Sequence, residues 1–383
     1  MKSKRNDGPI EKNIEILYII SDVDFAPSFE LIAKNSREWP KIRISFCFLS
    51  ASLPALATNL LQEEFPVYQI KLGKKTDWPV AFALLLRLLK KRKPSAIHCH
   101  LRDATIIGLT AGYACSIPTR IYTRHHSSLH HRYHPKGIII DRICNALATK
   151  IVSISPIVKK ILIRWEGTPE KKIVDIPHGF PIELFSNVAD TRPTSFKERH
   201  NIPPSATIVG VVSRFVQWKG VDDIIEGFRL TMESRPNLHL VILNASGPYQ
   251  KIWDDLKNKI PPTHFTTIKF EEDMPAAFRA MSYFVHTPID SSSEAFGQVY
   301  IEALAAGVPS VFTMSGIAHA FIEHNKNALV VPFRSPTEIS RALIQLIDDP
   351  NLASRLSRTG LLDVRAFRIE EMFTRLRSLY SLP

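Results

Sequence analysis

What most constrains this chain is a regular alternation of short apolar runs with longer amphipathic ones. The runs IEILYIIS (14–21), KIRISFCFLS (41–50), AIHCH (96–100), TRIYTRH (119–125) and KIVSIS (150–155) are nearly continuous in apolar residues. A strand wetted on one face alternates apolar with polar, whereas a continuously apolar strand is buried on both faces. Between these runs lie helical patterns such as WPVAFALLLRLLKKRK (78–93). Strand, helix and strand in this order predict a parallel sheet covered on both sides. After the polar, proline-containing stretch SNVADTRPTSFKERHNIPPSA (186–206), the alternation restarts with TIVGVVSRF (207–215), LHLVILNASG (238–247), TTIKF (266–270), SYFVHTP (282–288), PSVFT (309–313) and ALVVPF (328–333). A chain of 383 residues is too long for one ordinary core. The expected fold class is therefore α/β, with two doubly wound parallel-sheet domains, residues 1–190 and 191–383. The last helices, from Ser354 onward, complete the second domain and can cross back to the first. Ligands of open parallel sheets bind beyond the carboxyl ends of the strands, so two such edges facing each other form a cleft.

Composition narrows the partners. Apolar residues make up 45% and charged residues 22% of the chain, the proportions of a soluble globular protein. No run reaches the roughly 18 apolar residues of a membrane-spanning helix. The basic start, MKSKRNDGPIEKNIEILYIIS, has a short apolar stretch and no small-residue cleavage site, so no secretion signal is expected. Cys47, Cys99, Cys115 and Cys144 show no pairing rhythm and no Cys-x-x-Cys, as for free thiols in a reducing cytoplasm. The net charge of +12 fits nucleic acid, an anionic membrane surface or phosphorylated small molecules. The basic residues are dispersed and no zinc-finger or RNP-type motif accompanies them, which sets nucleic acid aside. Residues 78–93 read as a helix packed on the first sheet, with a basic end able to meet anionic headgroups. The expected location is the cytoplasm, with peripheral contact at the inner membrane face.

The stretch SSEAFGQVYIEALAAG carries Glu294 and Glu302 eight positions apart, around the expected loop-to-helix junction at Phe296 and Gly297. Eight residues of helix span about 12 Å, too far for two carboxylates to share a metal or a proton. A helix start offers unpaired N–H groups and partial positive charge, and anions bind there readily. Carboxylates at both ends and N–H donors between suit an elongated ligand with hydroxyls and an anionic group, such as a sugar nucleotide. Taken alone, the pair fits equally well a helix cap and a solvated helix residue. SRFVQWKGVDDIIEGF (213–228) adds cations: Arg214 and Lys219 fall at the carboxyl end of a strand, where they can neutralise a departing diphosphate.

SRFVQWKGVDDIIEGF, SSEAFGQVYIEALAAGVPSVFT and VDIPHGF, with the spacing found here, resemble the retaining GT-B glycosyltransferases bearing a glutamate–seven–glutamate signature, the group 1 or family 4 type. The resemblance is dense from about Ile173 to Phe333; the first half matches mainly in strand order and in HCH and YTRHH. It implies two Rossmann-like domains around a cleft, the first binding the acceptor and the second the nucleotide sugar. It also implies sugar transfer with retention, without a metal or other cofactor. The donor would be a UDP- or GDP-sugar. The acceptor would be a glycan, glycolipid or lipid-linked precursor of cell-surface polysaccharide. By the same resemblance, Glu294 contacts donor-sugar hydroxyls and Glu302 the ribose hydroxyls. The N–H groups near Phe296, Gly297 and Gln298 line the sugar and diphosphate, Arg214 and Lys219 clamp the diphosphate, and His125 faces the donor sugar across the cleft. The chain departs from the family at Ser21–Phe29, where many members carry a glycine-rich loop and this chain has no glycine.

His125, His126, His130, His131 and His134 crowd TRHHSSLHHRYHPKG. Imidazoles ligate zinc, but no carboxylate or cysteine joins the run and its spacing matches no standard zinc pattern, so no metal is expected. A loop that touches acceptor or anions, and gains charge near pH 6, is the expectation. Alternatives of other classes are a nucleotide-sugar epimerase, a phosphorylase, or a non-catalytic protein bound to an anionic surface.

Overall fold

A computed structural model describes residues 13–381 apart from Asp22 and Phe25. The basic chain start and part of the Ser21–Phe29 loop thus lie outside the described residues.

The first sheet has seven parallel strands in the order β3-β2-β1-β4-β5-β6-β7. They are β1 (Ile14–Ser21), β2 (Ile42–Ser50), β3 (Val67–Lys71), β4 (Ala96–His100), β5 (Thr119–Arg124), β6 (Lys150–Ser153) and β7 (Ile173–Asp175). The second has six, in the order β10-β9-β8-β11-β12-β13. These are β8 (Thr207–Val212), β9 (Leu238–Leu243), β10 (Phe265–Ile268), β11 (Tyr283–His286), β12 (Ser310–Phe312) and β13 (Leu329–Val330). Helices separate nearly all successive strands, so the architecture is the expected doubly wound α/β pair. The order of each sheet reverses once, between β1 and β4 and between β8 and β11. Those two reversals are where crevices open at the strand ends.

The sequence reading omitted β3 and β7. Both are edge strands, and both are half exposed. They therefore lack the continuous apolar run that marks a central strand. The polar stretch after them is helical over Thr191–Arg199. It docks on the second unit through buried Phe196, through Arg192, whose guanidinium donates to Asp273 at 2.6 and 3.0 Å, and through His200, 2.6 Å from Glu271.

The helix Trp78–Arg92 packs on the first sheet by Ala81, Leu85 and Leu89, one apolar stripe at four-residue intervals. It leaves Val80 and Leu84 exposed. Among the described residues no helix is long and apolar enough to cross a membrane.

The final helix, Ile369–Ser381, returns to the first sheet and buries Met372, Phe373, Leu376, Leu379 and Tyr380 there. The Tyr380 hydroxyl bonds Tyr18 of β1 and lies 2.6 Å from His98 Nδ1 of β4. The chain thus passes between the two units twice, and the two passages touch. Phe180 N–H donates to Phe367 C=O at 2.9 Å, and Ile369 N–H to Phe180 C=O at 3.0 Å. A Cβ on Gly179 would lie 2.7 Å from Ile369 Cα, so only glycine permits this approach.

Candidate active site

The reversal between β8 and β11 positions the charged groups. The chain leaves β8 through Ser213 and Arg214, forms a short 3-10 turn over Gln217–Lys219, and enters the helix Val221–Met232 at Gly220. Gly220 has φ +66°, and a Cβ there would lie 2.3 Å from Thr287 C=O. This close approach presses the Lys219 turn against the end of β11. From β11 the chain runs through Asp290 to Glu294 and into the helix Gln298–Ala305, whose N-cap is Gly297 with no side-chain cap.

Lys219 Nζ donates to Glu294 Oε1, an ion pair with both side chains largely buried. His286 Nε2 lies 3.2 Å from the same oxygen without the alignment of a hydrogen bond. The Glu294 backbone N–H donates to Ser315 Oγ at 3.1 Å. Burial pushes the Glu294 carboxyl up, but the charge of Lys219 and the neighbouring His286 outweigh it and hold the group down at about 2. Glu294 is therefore a carboxylate at neutral pH.

His125 follows β5 on the first unit. Its Nε2 lies 3.3 Å from His100 Nδ1, and its ring stacks on His178 with centroids 5.7 Å apart and planes 12° apart. His178 in turn meets the Phe296 ring edge-on at 4.9 Å. Burial, with His178, His98 and His126 adding to it, pushes the His125 imidazole down to about 3. Burial alone takes His178 to about 4. Both rings are neutral at pH 7. His125 and the exposed Arg214 line one inter-domain cleft of about 220 Å³, with Arg132, Trp218 and Ser293.

That cleft is spanned by polar bonds. Ser127 and Ser128 hydroxyls donate to Ser292 C=O at 2.7 and 2.9 Å. Arg132 bonds Asp290 and, at 3.0 Å, Ser292 Oγ. Ser155 Oγ donates to Ala295 C=O at 2.5 Å. First-unit residues thus hold the loop that carries Glu294.

The structure brings Lys219 to Glu294, His125 to the same cleft as Arg214, and Phe296 to His178. Glu302 stands apart, on the helix that begins at Gln298. It is buried, not solvated, and Gln298 Nε2 donates to it at 2.5 Å. Burial raises its carboxyl to about 7, with the Gln298 bond acting in the opposite direction.

The histidine run does acquire carboxylates from beyond the run, Asp141 on the next helix and Glu166 farther along the chain. His126 Nε2 and His130 Nδ1 lie 3.3 and 2.7 Å from one oxygen of Asp141, and His131 Nε2 lies 3.2 Å from Glu166. Donor atoms of His126, His130 and Asp141 are close enough to one another to hold a metal ion. Yet the buried Arg124 guanidinium takes the same Asp141 oxygen at 3.0 Å and Glu166 at 2.6 Å. Its charge opposes a second cation there.

Two family models match the chain: that described as "Glycosyl transferases group 1" over residues 194–362, and "Glycosyltransferase Family 4" over residues 47–184. Each half of the chain thus matches a glycosyltransferase model, and the chain is a glycosyltransferase. Among curated relatives, this glycosyltransferase is 26% identical to the mannosylfructose-phosphate synthase of Agrobacterium fabrum, over 76% of this chain and 68% of that one. It is 25% identical to the alpha-monoglucosyldiacylglycerol synthase of Acholeplasma laidlawii, over 77% of each chain. Among solved structures, Anabaena HepE in complex with UDP and glucose superposes with a TM-score of 0.81 at 16% identity, covering 97% of this chain and 100% of that one. The fold is thus GT-B, as the motifs led one to expect.

The sequence reading of this glycosyltransferase passed over three contributors to the site. His178 stood in a quoted motif without a role, and His100 in the unusual HCH strand end. The inter-domain contacts of Ser127, Ser128 and Arg132 had no signal, because a polar loop looks the same whether it faces water or another domain.

Proposed function

We propose that this enzyme transfers a sugar from a nucleoside diphosphate, UDP or GDP, to a hydroxyl acceptor with retention of configuration. The observation that carries the reading is the buried Lys219–Glu294 pair at the β8/β11 reversal, with Arg214, from the same loop after β8, lining with His125 the cleft between the units. In this reading residues 191–383 bind the donor and residues 1–190 the acceptor. Lys219 and Arg214 neutralise the diphosphate as the glycosidic bond breaks, with N–H groups around Phe296, Gly297 and Gln298 supplying further donors. Glu294, ionised and fixed by Lys219, orients the donor sugar. Glu302, as a carboxylate, accepts the ribose hydroxyls. Neutral His125 accepts a hydrogen bond from a sugar hydroxyl or donates one. The acceptor hydroxyl attacks from the face the diphosphate leaves, and a diphosphate oxygen takes its proton, so no metal or other cofactor is needed. HepE, with its UDP and glucose complex, supports the donor class; the glycolipid synthase relative supports a lipid-linked or glycolipid acceptor. Contact with an anionic membrane surface belongs to the same proposal, through exposed Val80 and Leu84 and the basic end at Lys90 and Lys91.

The test is a thermal-shift screen with UDP, GDP and ADP and their sugars, followed by NMR of the product anomer. A rise in melting temperature with one nucleotide, lost in Lys219→Ala, is expected. Indifference to every nucleotide, or an inverted product, would overturn the reading.

A further inference from the structure

A second cavity, of about 230 Å³, opens beside His125 on the first unit, at the β1/β4 reversal. Its walls include Phe29, Ile32, Leu101, Ile154, Met372 and Leu376. Among the described residues no lysine, arginine, aspartate or glutamate lines it. Its polar groups are four imidazoles and a few hydroxyls. Burial holds His98 at about 3, His125 at about 3 and His178 at about 4, and takes His100 well down. All four are neutral at pH 7, and among the described residues the cavity presents no charge to a ligand. An anionic or cationic group would lose its hydration there with nothing to replace it. Among the described residues one polar atom of the cavity lacks a partner: His100 Nε2 is buried and makes no hydrogen bond, while its Nδ1 faces His125. Unpaired buried nitrogens are uncommon, and one on a cavity wall suits a ligand hydroxyl.

We infer that this cavity takes the uncharged, apolar part of the sugar acceptor, an alkyl or aryl group, with a neutral hydroxyl pairing His100. The inference rests on the transferase reading above, since the shared His125, and His178 through its contact with Phe296, tie the cavity to the transfer site. It excludes acceptors that would place a phosphate in this cavity.

The test is calorimetric titration of the full chain, in the presence of the nucleotide that binds, with methyl, hexyl and phenyl β-D-glucoside and with glucose 6-phosphate. Hexyl or phenyl glucoside should bind at least tenfold tighter than the methyl glycoside, the gain from burying about two methylenes at roughly 0.8 kcal/mol each. A preference for hexyl assigns an alkyl chain and one for phenyl an aromatic group; either supports the inference. Ile32→Trp, which fills the cavity, should abolish the preference and leave nucleotide affinity unchanged. If that variant misfolds, Ala26→Trp at the less buried rim makes the same test. Equal binding of all glucosides, tighter binding of glucose 6-phosphate, or a preference that survives in a folded cavity-filled variant would overturn it. The two failures are distinguishable. Loss of the cavity preference with nucleotide-sugar turnover intact removes only this inference, whereas a preference that persists without any nucleotide binding removes the transferase reading and with it the assignment of the cavity to a sugar acceptor.

Discussion

Lys219 and Glu294 form an ion pair between the loops that leave two neighbouring parallel strands, β8 and β11. Neither residue is near the other in sequence, and both are largely withdrawn from water. The pair has two consequences that can be separated by experiment.

Lys219→Ala should lower turnover by about 100-fold or more, the scale for removing a positioned charge from a transition state. It should also cost about 3–5 kcal/mol of stability, because Glu294 is left buried without its partner. Pairing Lys219→Met with Glu294→Gln should restore most of the stability and none of the activity. Urea unfolding and initial rates on the same samples check this; full recovery of rate in the double variant would remove both residues from the chemistry.

Glu302 gives a pH signature. Its folded-state pKa is raised to about 7 by burial, so the fold disfavours its ionised form. Its contribution to stability is therefore present below the ordinary glutamate range and lost as pH rises through about 7. Glu302→Gln should match the native melting temperature at pH 5 and exceed it at pH 8. If the carboxylate grips the ribose, donor KM should fall as pH rises from 6 to 8 in the native enzyme and stay flat in the variant. A flat native profile would take Glu302 out of donor binding.

The buried network around Arg124 serves structure. Asp141 is held at about 2, burial opposing and the His126 bond and Arg124 charge prevailing. That stabilisation is present above the ordinary carboxylate range and is lost as pH falls toward 2. Arg124→Leu leaves Asp141 and Glu166 buried without their cation. It should cost about 3–5 kcal/mol in urea unfolding. A loss under 1 kcal/mol would show that the histidines alone satisfy the two acids.

The bonds from Ser127, Ser128 and Arg132 to the Asp290–Ser292 segment join the two units across the cleft. Each is worth about 1 kcal/mol or less. The triple alanine variant should lower kcat and raise donor KM while shifting the melting temperature little. Small-angle scattering should record a larger radius for it; an unchanged radius and unchanged kinetics would mean that the cleft does not depend on these bonds.

The central strands were legible because burial on both faces writes itself as an apolar run: IEILYIIS is β1 residue for residue. Edge strands VYQIK and IVD were not, since one wet face interrupts the run. In the candidate site, Lys219 and Glu294 could be named from motif spacing, and the fold pairs them. Spacing did not reveal that Glu302 is buried, because a glutamate in the helix QVYIEALA looks like any solvated one. Asp141 and Glu166 could not be assigned to the histidine run, because the first reaches it only by the fold-back of the helix Gly137–Leu147 and the second from the chain after β6.

The antiphonal contact of Phe180 with Phe367 and Ile369 has a mechanical consequence. Two chain segments bound side by side form a strap, and a strap bends across its width far more easily than it twists about its length. Opening and shutting of the lobes should accordingly follow one pivot axis near Gly179. A bulkier residue at that position would jam the pivot without touching a single group that meets substrate.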